Sequence, residues 1–276
     1  MKHLVTCMMV LALVAVAAPS ANATYFTLTD INSVVDIDSQ AGMLNWVVDD
    51  VDHLFLQAFW IRTGPTGPEV PLGNFYSGAD VWGPSIVDLY FNNHPDFDIK
   101  VRYILTGGSM GSQVSDVAEV IRVAAKQDIP GSLQSNDVHF FQYSDFDLNA
   151  TPSDDAVRFP NANAVQQVDA GAILSETVVT PPPSHHEGEN QWPDLRNRLN
   201  DAGPTTLSDL PAIGGGWLAG DIEWAFQWDK TITQTTPLLI SKDKHLQPVP
   251  EPTTLLLLGV GLLGAEVARR RRKSRR

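Results

Sequence analysis

The strongest constraint on this chain is a hydrophobic period of two. In Ile222-Glu223-Trp224-Ala225-Phe226-Gln227-Trp228-Asp229, the large apolar residues Ile222, Trp224, Phe226 and Trp228 alternate with mostly polar ones. An extended backbone places those four side chains on one face. Phe97 to Leu105 alternates in the same way and is closed by Thr106-Gly107-Gly108. Further strands are predicted at 51–61, 86–91, 117–124, 138–143, 165–179 with a bend near Gly171, and 238–241. Turns rich in Gly, Pro, Asn and Asp separate them, so the expected fold is all-β: an antiparallel β-sandwich or jelly-roll-like body. One short helix is expected at 192–200, where Leu195 and Leu199 stand at i, i+4, Pro193 suits the first turn and Gly203-Pro204 closes the segment. Residues 180–184 read as an extended proline-rich stretch, and Gly214-Gly215-Gly216 as a tight turn.

The two ends carry address information. Lys2, an apolar run from Leu4 to Ala18 and the small-x-small sequence Ala21-Asn22-Ala23 have the order of a signal peptide, so residues 1–23 are expected to be removed by signal peptidase during export. Cys7, the single cysteine, leaves with that segment. Residues 24–248 then form an exported domain without disulfides, large enough to be held together by burial alone.

Val249-Pro250-Glu251-Pro252 is followed by an apolar stretch from Thr253 to Ala268 and by Arg269-Arg270-Arg271-Arg272-Lys273-Ser274-Arg275-Arg276. The stretch, roughly 24 Å long as a helix, predicts a marginal C-terminal single transmembrane helix against a hydrocarbon core of roughly 30 Å. Arg269, Arg270, Arg271 and Arg272 form a basic stop expected on the cytoplasmic side. Gly259, Gly261 and Gly264 permit close approach to another membrane helix. This ending, residues 249–276, resembles the PEP-CTERM sorting signal, in which Pro250, Glu251 and Pro252 mark a protein for an exosortase. The resemblance implies a Gram-negative bacterium that makes exopolysaccharide, a transient hold in the inner membrane, processing near the motif, and delivery to the cell surface or extracellular matrix. Glu266 departs from the usual uninterrupted apolar run. The body also resembles exported domains of unassigned role that precede such tails, through Phe140-Phe141-Gln142-Tyr143-Ser144-Asp145-Phe146-Asp147-Leu148, Leu174-Ser175-Glu176-Thr177, Trp224-Ala225-Phe226-Gln227-Trp228 and Ile240-Ser241-Lys242-Asp243-Lys244.

From Thr24 to Pro250 there are 11 lysines and arginines against 30 aspartates and glutamates, a formal charge of −19. Such a surface repels nucleic acid and anionic lipid. Asp145, Asp147 and Asn149 alternate at an oxygen-ligand spacing and are the candidate calcium ligands, although Ala150 and Ala156 stand where a helix-loop-helix calcium site needs Gly and Glu. Apart from that ion, no cofactor is expected. His185-His186-Glu187-Gly188-Glu189 lacks the second histidine of a His-Glu-x-x-His zinc site. Gly107-Gly108-Ser109-Met110-Gly111 has the spacing of a nucleophile turn without the following helix. Of the seven tryptophans, Trp82 and Trp192 sit beside prolines in expected loops and are the candidates for stacking on sugar rings. No complete catalytic constellation emerges. The expected function is therefore that of a noncatalytic envelope or matrix protein associated with surface polysaccharide; the alternative is a carbohydrate-binding module or carbohydrate-active enzyme on the same sandwich.

Deleting Pro250 to Pro252 is expected to leave an arginine-tailed precursor in the inner membrane, visible by immunoblotting of fractionated cells. Normal maturation of that variant contradicts the sorting reading.

Overall fold

The computed structural model describes residues 23–126 and 137–249. The expected leader, the Pro250-Glu251-Pro252 motif, the apolar stretch and the arginine tail lie outside the described residues, and no helix among those described is long and apolar enough to cross a membrane.

Among the described residues, eighteen strands follow in chain order: β1 (Tyr25–Asp30), β2 (Ser33–Asp38), β3 (Gly42–Val48), β4 (Val51–Asp52), β5 (Leu56–Thr63), β6 (Val70–Pro71), β7 (Gly78–Gly83), β8 (Ile86–Tyr90), β9 (Phe97–Gly107), β10 (Ser115–Ala125), β11 (Asp137–Asp145), β12 (Asp155–Asn161), β13 (Ala164–Asp169), β14 (Ala172–Thr180), β15 (His185–Glu189), β16 (Leu218–Gly220), β17 (Glu223–Thr231) and β18 (Leu238–Pro248). One α-helix, α1 (Asp194–Leu199), stands among them. The first sheet has the order β1-β2-β3-β5-β11-β17-β15, with β4 on β3 and β6 on β5; the second runs β16-β12-β13-β14-β18-β10-β9-β8-β7. The strand pairs within both sheets are antiparallel.

Alternation decides which residues meet between the sheets. On β9, Phe97, Ile99, Val101, Tyr103 and Leu105 are buried, while Asp98, Lys100, Arg102 and Ile104 point the other way and are more open. Trp224, Phe226 and Trp228 form a continuous aromatic ladder on the inner face of β17, with neighbouring ring centroids 5.6 and 6.0 Å apart. Trp224 also stacks on Phe146, at 6.1 Å and 7°, and its indole N–H donates to Gln167 Oε1 across the core. Strand β17 departs from a half-buried strand because α1 covers its second face: Ala225, Phe141, Tyr143, Leu56, Ala58 and Trp60 pack with Leu195 and Leu199 in a separate outer cluster. The helix is shorter than the expected 192–200, since Trp192 and Pro193 precede its first turn.

Two expected strands divide. The segment 165–179 is a hairpin of β13 and β14, reversed at Gly171, whose φ of +109° is left-handed backbone that favours glycine. The segment 51–61 breaks at His53 and Leu54, and the interruption turns Phe55 out to 46% exposure. Between β3 and β5 the first sheet is held by a single register pair, Met43 with Gln57. Gly42 makes even that approach feasible, because a Cβ there would lie 2.2 Å from the carbonyl oxygen of Gln57.

Replacing Trp224 with Ala removes a fully buried side chain and the indole partner of Gln167, and is expected to cost about 3–5 kcal/mol in urea unfolding. Trp217→Ala, at a residue 42% exposed, should stay within about 1 kcal/mol. Equal losses would contradict the packing described.

Candidate functional site

The outer face of the first sheet carries the candidate site, at the end where β11 and β17 lie side by side. Register pairs Asp145 with Glu223 and with Leu56. Tyr143 precedes Asp145 by two residues and so shares its face. The Tyr143 Oη lies 3.0 Å from Asp145 Oδ2 and 2.8 Å from Glu223 Oε2.

A phenol has one proton to donate. With two carboxyl groups on that oxygen, Tyr143 donates to one and accepts from the other in its acid form. Glu223 also accepts the backbone N–H groups of Leu195 and Arg196, which favour its charged form, although burial raises its pKa. Asp145 has no such compensation: burial, then Asp147, Glu223 and Asp221, push its pKa up to about 7 despite the tyrosine. Asp145 accordingly keeps its proton to a higher pH than an ordinary carboxyl. Burial and the charges of Asp221 and Asp52 push Asp147 up to about 6, and burial raises Asp221.

Carboxylate oxygens of Asp145, Asp147 and Asp221 lie within 4.8 Å of one another. Hard divalent cations take such oxygen sets. The expected third ligand, Asn149, faces elsewhere: its backbone N–H meets His53 Nδ1 at 3.1 Å and its amide donates to Asp169 Oδ2 at 2.7 Å. Asp221 takes the third place in the cluster because it lies just before β17, beside the end of β11.

Beside these acids stand two exposed rings. Trp192 is 45% and Phe55 46% exposed, and they meet edge to face with centroids 6.2 Å apart at 85°. Phe55 is shared by three adjoining depressions. The first, about 220 Å³, is lined by Phe55, Trp192, Pro152, Asp145, Asp147 and Asp221. The second, about 310 Å³, lies against Leu44, Asn45, Asp52, Leu54, Asp147 and Ala150. The third is an apolar cavity of about 320 Å³ at the loose β3–β5 seam, where Leu44, Leu56, Ala58 and Trp60 meet Arg196 and Asn200 from the helix.

The other candidates lie apart from this groove. Trp82 is exposed on β7 of the second sheet, its indole N–H donating to Asp88 Oδ2 at 3.0 Å and the Arg102 guanidinium lying 5.9 Å from its ring. His186 packs against Phe159 at 4.3 Å, His185 pairs with Asp209 at 2.9 Å, and Glu187 pairs with Arg198. These contacts fasten the segment around Asp209 to the sheet edge. Ser109 sits in the β9–β10 hairpin turn, whose Gly111 and Gln113 N–H groups donate to Asp49. Tyr143, Asp221, Glu223 and Phe55 were not legible as site residues, although Tyr143 with Asp145, and Asp221 with Glu223, share the i, i+2 spacing that puts two groups on one face.

Residues 248–273 match the PEP-CTERM protein-sorting motif, consistent with an exosortase substrate exported to the cell envelope or surface. No curated protein matches the chain in sequence. In fold it is similar to a bacterial glucoamylase solved with acarbose, at TM-score 0.51 and 7% identity over 88% of this chain and 36% of that one. It is also similar to a GalM/aldose epimerase homologue from C. elegans, at TM-score 0.51 and 8% identity over 83% of this chain and 100% of that one. The chain thus spans about a third of the glucoamylase and the whole of the epimerase homologue. At these identities the likeness is one of fold.

Proton linkage gives the site a signature. A carboxyl whose pKa rises on folding from 3.8 to about 7 stabilises the fold fully below the unfolded value, and that contribution is lost as pH rises through about 7. Asp147, raised to about 6, and Asp155, raised by burial to about 8, act in the same direction. Burial lowers His53 and His94 to about 4, which does the reverse: their contribution is present above the ordinary histidine value and lost as pH falls through about 4. Thermal stability should therefore decline from pH 5.5 to 7.5, above which Lys242, lowered by burial to about 8, acts in the opposite direction. Asp145→Asn should flatten that decline by up to about 1.4 kcal/mol per pH unit between pH 5.5 and 6, and by about half of that at pH 7; an unchanged slope contradicts the raised pKa of Asp145.

Proposed function

We propose that the exported body is a noncatalytic surface domain that binds bacterial polysaccharide in the groove around Phe55 and Trp192. The observation that carries this reading is the pairing of two exposed aromatic rings with three clustered carboxylates. Indole and phenyl faces match the apolar faces of pyranose rings, and carboxylates accept hydrogen bonds from sugar hydroxyls. Three depressions meeting at Phe55 suit several consecutive residues of a polymer. The strongly acidic body disfavours acidic glycans, so the ligand class is a neutral polysaccharide. The sorting motif supports the same reading by directing the body to the surface where such polymers lie.

Two further readings rest on the same groove. A calcium ion held by Asp145, Asp147 and Asp221 would neutralise the cluster and displace the Asp145 proton. A carbohydrate-active enzyme is favoured by one observation, the Asp145 carboxyl, whose pKa burial raises to about 7, beside two further carboxylates that could serve as base. Release of reducing ends from a bound glycan by the purified protein, lost in Asp147→Asn, would replace the noncatalytic reading with the enzymatic one.

In affinity electrophoresis through gels containing neutral bacterial exopolysaccharide, the protein is expected to be retarded. Trp192→Ala should weaken binding about tenfold, or ~1.4 kcal/mol, whereas Trp82→Ala should leave it unchanged. Equal retardation of the wild type and Trp192→Ala contradicts the proposal.

A further inference from the structure

Four ionisable side chains cluster in the interior between the two sheets. Glu119 on β10, Glu176 on β14 and Lys242 and Lys244 on β18 have side chains at 0% exposure. The register places Glu119 directly opposite Lys242, and Glu176 directly opposite Lys244. Both lysines contact the Glu119 carboxylate, Lys242 through Oε2 and Lys244 through Oε1. They lie 3.5 and 3.2 Å from the two oxygens of Glu176.

The two ammonium groups differ in their bonding. Lys244 makes a hydrogen bond to Glu119. Lys242 touches the same carboxylate yet has no well-directed hydrogen bond, and Glu176 Oε1, the oxygen it faces at 3.5 Å, is also without one. Gln57 donates to Glu119 Oε2 at 3.4 Å and Gln142 to Glu176 Oε2 at 2.9 Å. Phe59 closes the site, its ring centroid 5.5 Å from the Lys242 nitrogen.

We propose that Lys242 and Glu119 condense to an intramolecular amide that cross-links β18 to β10. The chemistry balances within the cluster. Lys242 passes one proton to Glu176, which frees the Nζ lone pair to attack Cδ of Glu119. Lys244, hydrogen-bonded to Oε1, stabilises the negative charge that develops there. A second proton leaves the attacking nitrogen, the bond from Cδ to Oε2 breaks, and that oxygen departs with both protons as water. Glu176 returns to its carboxylate form. One ammonium and one carboxylate become one amide and one water; nothing is oxidised or reduced, and the cluster stays neutral as Lys244 with Glu176.

Burial supports the division of roles. It lowers the pKa of Lys242 to about 8, which brings the free amine within reach, while Glu119 and Glu176, acting against burial, hold Lys244 above the ordinary lysine value and keep it a cation. The product also replaces two charges at 0% exposure by a neutral group, which burial favours. No cysteine lies between Thr24 and Pro250, so this bond would be a covalent staple in a body without disulfides.

The test is the mass of the purified full-length protein under denaturing conditions, with its termini established by peptide mapping. Condensation predicts a mass about 18 Da below that of the uncondensed chain, together with a branched peptide joining Glu119 to Lys242 in the digest. Lys242→Met should restore the full mass, and Glu176→Gln, which removes the proton acceptor, should leave most of the chain uncondensed. If those variants fail to fold, the wild type alone decides. A wild type at full mass overturns the proposal, as does a branched peptide through Lys244 or Glu176.

Discussion

The contact of Lys242 and Lys244 with Glu119 and Glu176 is the constraint on which the two-sheet fold depends. As the chain folds, four charges buried between the sheets are tolerable only when each faces an opposite charge, and loss of one partner of such a set costs about 3–5 kcal/mol. The tetrad joins β10, β14 and β18 in the middle of the second sheet, and Gln57 and Gln142 tie it to β5 and β11 of the first. A slip of one residue in β18 would turn both lysines to the outer face and strand both glutamates inside. The polar centre thereby specifies register, which an interior of interchangeable apolar residues would do less sharply. The aromatic ladder of β17 is packed within the layer so defined.

Register then builds the groove. With β11 and β17 aligned so that Asp145 faces Glu223, Tyr143 reaches both carboxyls and Asp221 falls beside Asp147. The N-terminal end of α1 supplies N–H groups that favour the charged form of Glu223 against its burial. The break at His53 and Leu54 and the loose seam between β3 and β5 are what leave Phe55 exposed and the cavity beside it open.

How much of this was legible in the sequence follows from how local each signal is. The two-sheet, nearly helix-free architecture could be read because alternation in segments such as Phe97 to Leu105 depends only on neighbouring residues. The sorting motif at 248–273 was legible for the same reason, being one contiguous string. The helix was placed from Leu195 and Leu199, which do pack beneath it. What stayed hidden was long-range. Lys242 and Lys244 alternate with Ser241 and Asp243, and nothing local marks them as core, because their burial depends on Glu119 and Glu176 far along the chain. Asp147 finds Asp221 and not its sequence neighbour Asn149 for the same reason. Position 149 adopts φ +59° and turns its amide toward Asp169.

The central claim is that this fold presents its outer groove to a surface polysaccharide. Its most direct test is a crystal structure of the protein with an oligosaccharide fragment of neutral bacterial exopolysaccharide. The account predicts a sugar ring stacked on Trp192 or Phe55, with hydroxyls on Asp147 or Asp221. A fragment bound elsewhere on the molecule, with the groove empty, would contradict it.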